Sequence, residues 1–227
     1  MAIESTLHYL ISNCLSYAVV VGASILKVPQ ILKVLQNNKA DGISLLSIIV
    51  ELFSYVVSTS WGMTRGLPFR DYGENFLITL QLIWLLLLVA KLQKKTRGAC
   101  LALVAELFAF YAFASGRVPR SLHETMLSGQ VLLNLSSRVP QIYANYRTRC
   151  HGQLSFLTFF LAFGGGMARL MTTALNVSWE KGKGVMLVQF GVAASLNAII
   201  LLQMLYYKFL DGKTRRPVAA AKSGKST

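Results

Sequence analysis

The sequence predicts an all-α membrane protein whose seven transmembrane helices form two parallel three-helix bundles joined by a linker helix. Three observations predict it: repeated apolar runs of spanning length, an uneven partition of basic residues among the loops, and a motif that occurs twice at one offset. Of the 227 residues, 54% are hydrophobic and only 14% charged, with mean hydropathy +0.50. A chain so poor in charge lies outside the usual range of soluble domains. Crossing a bilayer takes about 17–25 apolar residues. Such runs fall at residues 7–27, 43–63, 75–91, 98–115, 125–146, 154–174 and 185–207.

The first run lies in "MAIESTLHYLISNCLSYAVVVGASILK". No basic residue precedes it, so it reads as a retained helix starting outside the cytosol rather than as a signal peptide. It ends in "ILKVPQILKVLQNNKADGISLLS", residues 25–47. Pro29 there removes a helical hydrogen bond, at roughly 3 kcal/mol in a helix interior, and is expected to strand the Ile25 carbonyl. Gln30 beside it supplies an amide donor and acceptor. The second span carries Glu51, a charge expected to face a partner or a cavity. Before the third span stands "DYGE", where Asp71 and Glu74 favour the positive end of a helix dipole. The basic "KLQKKTRG" separates the third and fourth spans, and the fourth carries Glu106.

The fifth span sets Gln130, Asn134, Arg138 and Gln141 at i, i+4, i+8 and i+11, on one helical face. It runs through "LSSRVPQIYANYRTRCHGQLSFLT", where Pro140 is expected to strand the Ser136 carbonyl as Pro29 does Ile25. In the sixth span Gly164, Gly165 and Gly166 precede Arg169, and small residues let another backbone approach closely. Gln81, Gln189, Asn197 and Gln203 read as interhelical hydrogen-bonding residues.

Aligning Pro29 with Pro140 pairs Lys27 with Arg138, Val28 with Val139, Gln30 with Gln141 and Ile31 with Ile142. Ser44 pairs with Ser155 and Ser47 with Thr158, while Gly42 and Gly152 fall one residue out of step. Both copies lie on one side of the membrane. Two three-helix units in parallel then need an odd helix between them. The divisions follow: a first repeat at 1–91, a linker helix at 92–119, a second repeat at 120–208 and a basic cytosolic tail at 209–227. Val19 and Ala23 stand where the second copy has Gln130 and Asn134, so the second half supplies more of the polar lining.

The net charge of +14 follows from topology. With the N-terminus luminal, the cytosolic loops and tail hold fifteen basic residues against six on the luminal side, as the positive-inside rule requires. Nucleic acid is not needed to explain the charge, while anionic lipid headgroups would be attracted to it. Cys14, Cys100 and Cys150 are scattered and odd in number, without the spacing of a disulfide framework or zinc site. Asn176–Ser178 is a glycosylation sequon in a short luminal loop that hugs the membrane, and its use is not expected. There is no GxSxG, HExxH or GxxxxGK, and His8, His123 and His151 are dispersed. No enzyme, metal site or cofactor is expected.

The paired "VPQI" motifs and the repeat spacing resemble the PQ-loop proteins. "KVPQILKVLQNNKADGISLLSIIVELF", "GLPFRDYGENFLITLQ", "GQLSFLTFFLAFGGGMARLMTT" and "NAIILLQMLYY" resemble, within them, the mannose-P-dolichol utilization defect 1 family. The "GE…LQ" and "FGGGMAR" stretches point to this subfamily. The resemblance implies an endoplasmic reticulum membrane protein needed for using dolichol-phosphate mannose and glucose in glycan and GPI-anchor assembly. It also implies a connection to the glycosylation machinery.

The residues themselves leave alternatives open. Pro29, Gln30, Pro140 and Gln141 read as a paired hinge or gate, or as a static kink. Arg138 suits a phosphate held bidentately, or snorkels to the cytosolic surface. Glu51 carries a proton or closes a fixed ion pair. With Gln130, Asn134 and Arg169 these are the ligand or proton candidates. Three functions fit: lipid-linked-sugar handling, proton-coupled transport of a sugar or amino acid, and a non-transporting receptor or scaffold.

Overall fold

The computed structural model describes residues 2–40, 43–148 and 156–223, with side-chain surroundings for most of residues 10–207. Gly42, Arg149, Cys150, His151, Gly152 and Ser155 lie outside the described residues, as do the side chains of Glu4, His8, Thr158 and the tail. The described chain is helical throughout: α1 (Ala2–Ala23), α2 (Val28–Asn37), α3 (Leu45–Thr64), α4 (Phe69–Leu92), α5 (Thr96–Ala114), α6 (Arg120–Thr148), α7 (Phe156–Asn176), a 3-10 turn (Trp179–Lys181) and α8 (Lys183–Ser223). Counting α1 and α2 as one interrupted span gives the seven expected helices. Among the described residues, five of them, including the α1–α2 span, are long and apolar enough to cross a membrane; α6 and α7 are not among these five.

Element ends follow local chemistry. Ser44 caps α3 by accepting from the Ser47 amide at 3.2 Å, as apolar–Ser openings do. α4 starts after Pro68, six residues before the expected 75, and so takes Asp71 and Glu74 into its first two turns. Gln93 closes it, donating to the carbonyls of Ala40 (3.0 Å) and Ile43 (2.7 Å) and fastening the α2–α3 connection.

The helices form two compact units, Met1–Gln130 with Ala168–Leu187, and Val131–Met167 with Val188–Thr227. In the first, α4 is the centre of packing. Leu82, Leu85, Leu86, Val89 and Ala90 are fully buried against Ile31, Val34, Ile48 and Leu52. Among lipid tails such burial gains little transfer free energy, so close contact holds these helices. In the second unit, Phe159 of α7 packs with Ile200, Leu201 and Met204 of α8. Of the three consecutive glycines only Gly166 meets another helix: a Cβ there would lie 3.2 Å from the Ala194 Cβ on α8. Gly164 and Gly165 face open space.

Much of the surface is apolar too. α5 exposes Leu101, Val104, Leu107, Phe108 and Tyr111 and buries Ala99, Glu106 and Phe113. So continuous an apolar surface is untenable in water and natural in lipid.

Candidate functional site

The first proline motif breaks its helix before the proline. α1 stops at Ala23, α2 starts at Val28, and Pro29 sits in the first turn of α2, where a missing N–H costs nothing. The Ile25 carbonyl is not stranded, because the Val28 amide donates to it at 3.2 Å. The break is served from α4 and not by Gln30, which is exposed. Gln81 Nε2 donates to the Ala23 carbonyl at 2.8 Å, and Gln81 Oε1 accepts from the Lys27 amide at 2.9 Å. One side chain thus satisfies the last turn of α1 and the first of α2, as broken backbone in a membrane requires. Lys27 Nζ then donates to Glu51 Oε1 at 2.6 Å, tying the break to α3.

The second motif differs. Pro140 lies inside α6, which continues to Thr148. Gln141 Nε2 donates to Asn145 Oδ1 (2.9 Å), Asn145 Nδ2 to Gln203 Oε1 (3.2 Å), and Gln203 Nε2 to the Ile142 carbonyl (3.0 Å). This network joins α6 to α8. Higher on α6, Gln130 is buried, donating to the Ser54 carbonyl at 2.8 Å and accepting from Ser58 at 3.1 Å. Asn134 is half-buried. Arg138 is half-buried with its guanidinium 5.1 Å from the Phe159 ring centroid, a cation–π contact.

Arg169 enters a buried pair with Glu74 of α4 and donates from Nη1 to the Arg70 carbonyl at 3.1 Å. Both charged side chains are under 10% exposed, against 16% and 38% for Lys27 and Glu51. Asp71, one turn from Glu74, is also buried, with Arg70 Nε 3.9 Å from its Oδ1. Ser12 of α1 donates to Asn176 Oδ1 at the end of α7, at 3.0 Å. The Asn176 amide nitrogen is itself buried, so the sequon nitrogen is covered in the folded protein. Glu106 is buried on α5, its Oε2 without a hydrogen-bond partner among the described residues.

The loops at this end are stitched together. Arg120 donates to the Glu180 carbonyl at 2.8 Å and Lys181 to the Gly66 carbonyl at 3.0 Å. Gly182, at φ +86°, lies against Trp61: a Cβ would fall 2.3 Å from its ring. Arg65 stacks on the same indole at 4.3 Å. Burial, then nearby Arg120, hold its guanidinium below the ordinary value. His123 Nε2 donates to the Val57 carbonyl at 3.0 Å, so that nitrogen carries the proton. Among the described residues no group of acids, histidines and cysteines is placed to hold a metal ion.

The PQ loop repeat family matches the chain twice, over residues 11–71 and 122–181. The chain belongs to the PQ-loop repeat family. A human PQ-loop relative, solute carrier family 66 member 3, is 24% identical over 183 residues, spanning 81% of this chain and 87% of that protein. No solved structure matches the chain. The first PQ-loop match runs from α1 into the first turn of α4, ending on Asp71, and the second from α6 to the 3-10 turn. Sequence reasoning gave Gln81 and Glu74 minor roles, although their seven-residue spacing puts both on one face of α4.

Proposed function

We propose that this PQ-loop membrane protein handles or presents dolichol-phosphate mannose and glucose for glycan and GPI-anchor assembly, without catalysing a reaction. One observation carries the reading. The stretches that separate the mannose-P-dolichol utilization defect 1 resemblance from other PQ-loop sequences are "GE…LQ" and "FGGGMAR". Their polar residues meet: Glu74 pairs with Arg169, and Gln81 holds the α1–α2 break. The marks of the resemblance are thus the polar centre of the first unit. In this reading the N-terminus is luminal in the endoplasmic reticulum, residues 1–91 and 120–208 are the parallel repeats, and the two proline motifs are hinges. Arg138, the remaining half-buried cation of the polar α6 face, is offered to phosphate. The partners are membrane lipid and the glycosylation machinery.

The test is the profile of lipid-linked oligosaccharides in cells lacking the protein. Species missing the sugars donated from dolichol phosphate, restored by wild type and not by Arg138→Ala, support the proposal. A normal profile removes the dolichol role. The printed name of the human relative favours a second reading, proton-coupled carriage of a small solute such as a sugar or amino acid. Proton-dependent uptake abolished by Glu51→Gln would establish it.

A further inference from the structure

Six basic residues of the first unit stand apart from the rest. Lys33 and Lys39 belong to α2 and the connection after it; Lys91, Lys94, Lys95 and Arg97 belong to the end of α4 and the start of α5. All six are exposed, and none of their side chains meets an acid, a carbonyl or an aromatic ring among the described residues. Every other lysine and arginine of this unit meets one, as Lys27 meets Glu51 and Arg117 lies 5.1 Å from the Tyr111 ring centroid. Gln93 gathers the free cations, because its bonds to the Ala40 and Ile43 carbonyls hold the α2–α3 connection against the α4–α5 turn. Asp41, the one acid that the sequence places in these connections, lies outside the described residues. Both α4 and α5 are of spanning length, so the turn between them lies at the level of the lipid headgroups.

Folding alone does not account for where these cations stand. Lys91, in the last turn of α4, complements the helix dipole. Lys95 and Arg97 do the reverse: they flank the start of α5, whose first turn holds no acid, and a helix start disfavours positive charge. Lys94 is strained as well. Its amide donates to the Lys91 carbonyl at 3.2 Å and the Lys95 amide donates to the Ala90 carbonyl at 2.8 Å. These are the paired bonds of a Schellman helix end, in which the residue at the place of Lys94 is left-handed and usually glycine. Lys94 takes that conformation, at φ +58°, with a full side chain, and strain of this kind is characteristic of functional positions. The positive-inside rule accounts for basic residues in a loop, but not for a lysine in place of glycine or for cations at the wrong end of a helix.

We propose that the α4–α5 turn, with Lys39 beside it, is a docking surface for the headgroup of an anionic membrane lipid that bears a phosphate monoester. Such a phosphate carries close to two charges and three accepting oxygens, enough to engage several ammonium groups and a guanidinium together. A headgroup with one diester charge offers less to the same cluster. The strained backbone at Lys94 presents its ammonium beside Lys95 and Arg97 on one short turn, and Gln93 keeps Lys39 at hand. The lipid chains then lie along α5, whose Leu101, Val104 and Phe108 are exposed. This surface is separate from Arg138 and does not depend on the lipid-linked-sugar reading.

The test titrates the purified full-length protein in neutral detergent with dioctanoyl phosphatidic acid, dioctanoyl phosphatidylserine and glycerol 3-phosphate, counting bound molecules by native mass spectrometry. Wild type should bind phosphatidic acid about tenfold more tightly than phosphatidylserine, the worth of one further charged hydrogen bond. Lys94→Gln with Lys95→Gln and Arg97→Gln should weaken phosphatidic acid about a hundredfold, near fivefold for each cation, and bring the two lipids together. Arg117→Gln, which removes the same charge at the other end of α5, should change neither. Lys94→Gly should lose about fivefold in binding while its melting temperature holds or rises, since glycine fits the left-handed turn. Equal binding of the two lipids by wild type, or a triple variant that keeps the preference, overturns the site. Glycerol 3-phosphate bound as tightly as phosphatidic acid overturns the lipid as its occupant, and a lowered melting temperature in Lys94→Gly overturns the functional reading of the strain.

Discussion

Gln81→Met tests the bridge across the α1–α2 break. Methionine keeps the length and apolar stem of glutamine but loses both the amide donor and the acceptor. The Lys27 amide, which gives its hydrogen to Gln81 Oε1 at 2.9 Å, loses that acceptor beside a half-buried lysine. The Ala23 carbonyl keeps the Leu26 amide at 3.2 Å and loses only its second donor. A stranded buried N–H costs about 1–3 kcal/mol, and a lost interhelical bond in a membrane about 0.6 kcal/mol. Together they predict a loss of about 2–4 kcal/mol. Reversible unfolding in mixed micelles of rising SDS fraction measures it. Hydrogen exchange at the Lys27 amide should quicken about 30-fold or more, at 1.4 kcal/mol per tenfold. A change within about 0.5 kcal/mol, the range of an ordinary surface substitution, with unchanged exchange would refute the bridge.

Arg169→Met should cost about 3–5 kcal/mol, because it leaves the Glu74 charge buried alone. Glu74→Leu with Arg169→Met should recover most of that in the same unfolding assay, and simple addition of the two single losses would sink the pairing. Glu51→Gln should cost less than about 1 kcal/mol, since its ion pair with Lys27 is partly exposed; a loss as large as that of Arg169→Met would contradict the contrast between the two pairs. Gly182→Ala should cost about 1–3 kcal/mol from left-handed backbone strain alone, more once Trp61 shifts, read as a lower melting temperature in detergent.

The fold was legible because hydrophobic span length and the doubled VPQI motif both act at the level of whole helices. Ser44 caps α3, whereas the start of α4 directly after Pro68 escaped a reading based on apolar runs. The polar centre was less legible. Proline chemistry located the first break only to within a turn, since the chain relieved the steric clash by ending α1 early and restarting with Pro29 in a first turn. The second motif has the same residues but stays helical around Pro140, so conformation here is set by neighbours more than by the motif. Gln81 and Glu74 form their bonds with residues far along the chain, and no local pattern announces a partner. Their shared face on α4 was the signal available. Arg169 was visible as a charge in an apolar helix, but its acid was not, because "DYGE" also satisfies the simpler demand of a helix start.

The polarity of α6 bears on how the protein is made. Among the described residues five spans are long and apolar enough to enter a bilayer on their own account, whereas α6 carries Gln130, Asn134, Arg138 and Gln141. A single central arginine adds about 2.5–3.5 kcal/mol to helix insertion. Gln130 is satisfied by Ser54 and Ser58 on α3, already synthesised when α6 leaves the ribosome. Asn145 waits for Gln203 on α8, made after both α6 and α7. A nascent chain ending before Gln203 therefore holds α6 with one end matched and the other unmet. Stable integration of the second half is completed from its C-terminal end, so truncations there should expose α6 to quality control even though α6 itself is intact.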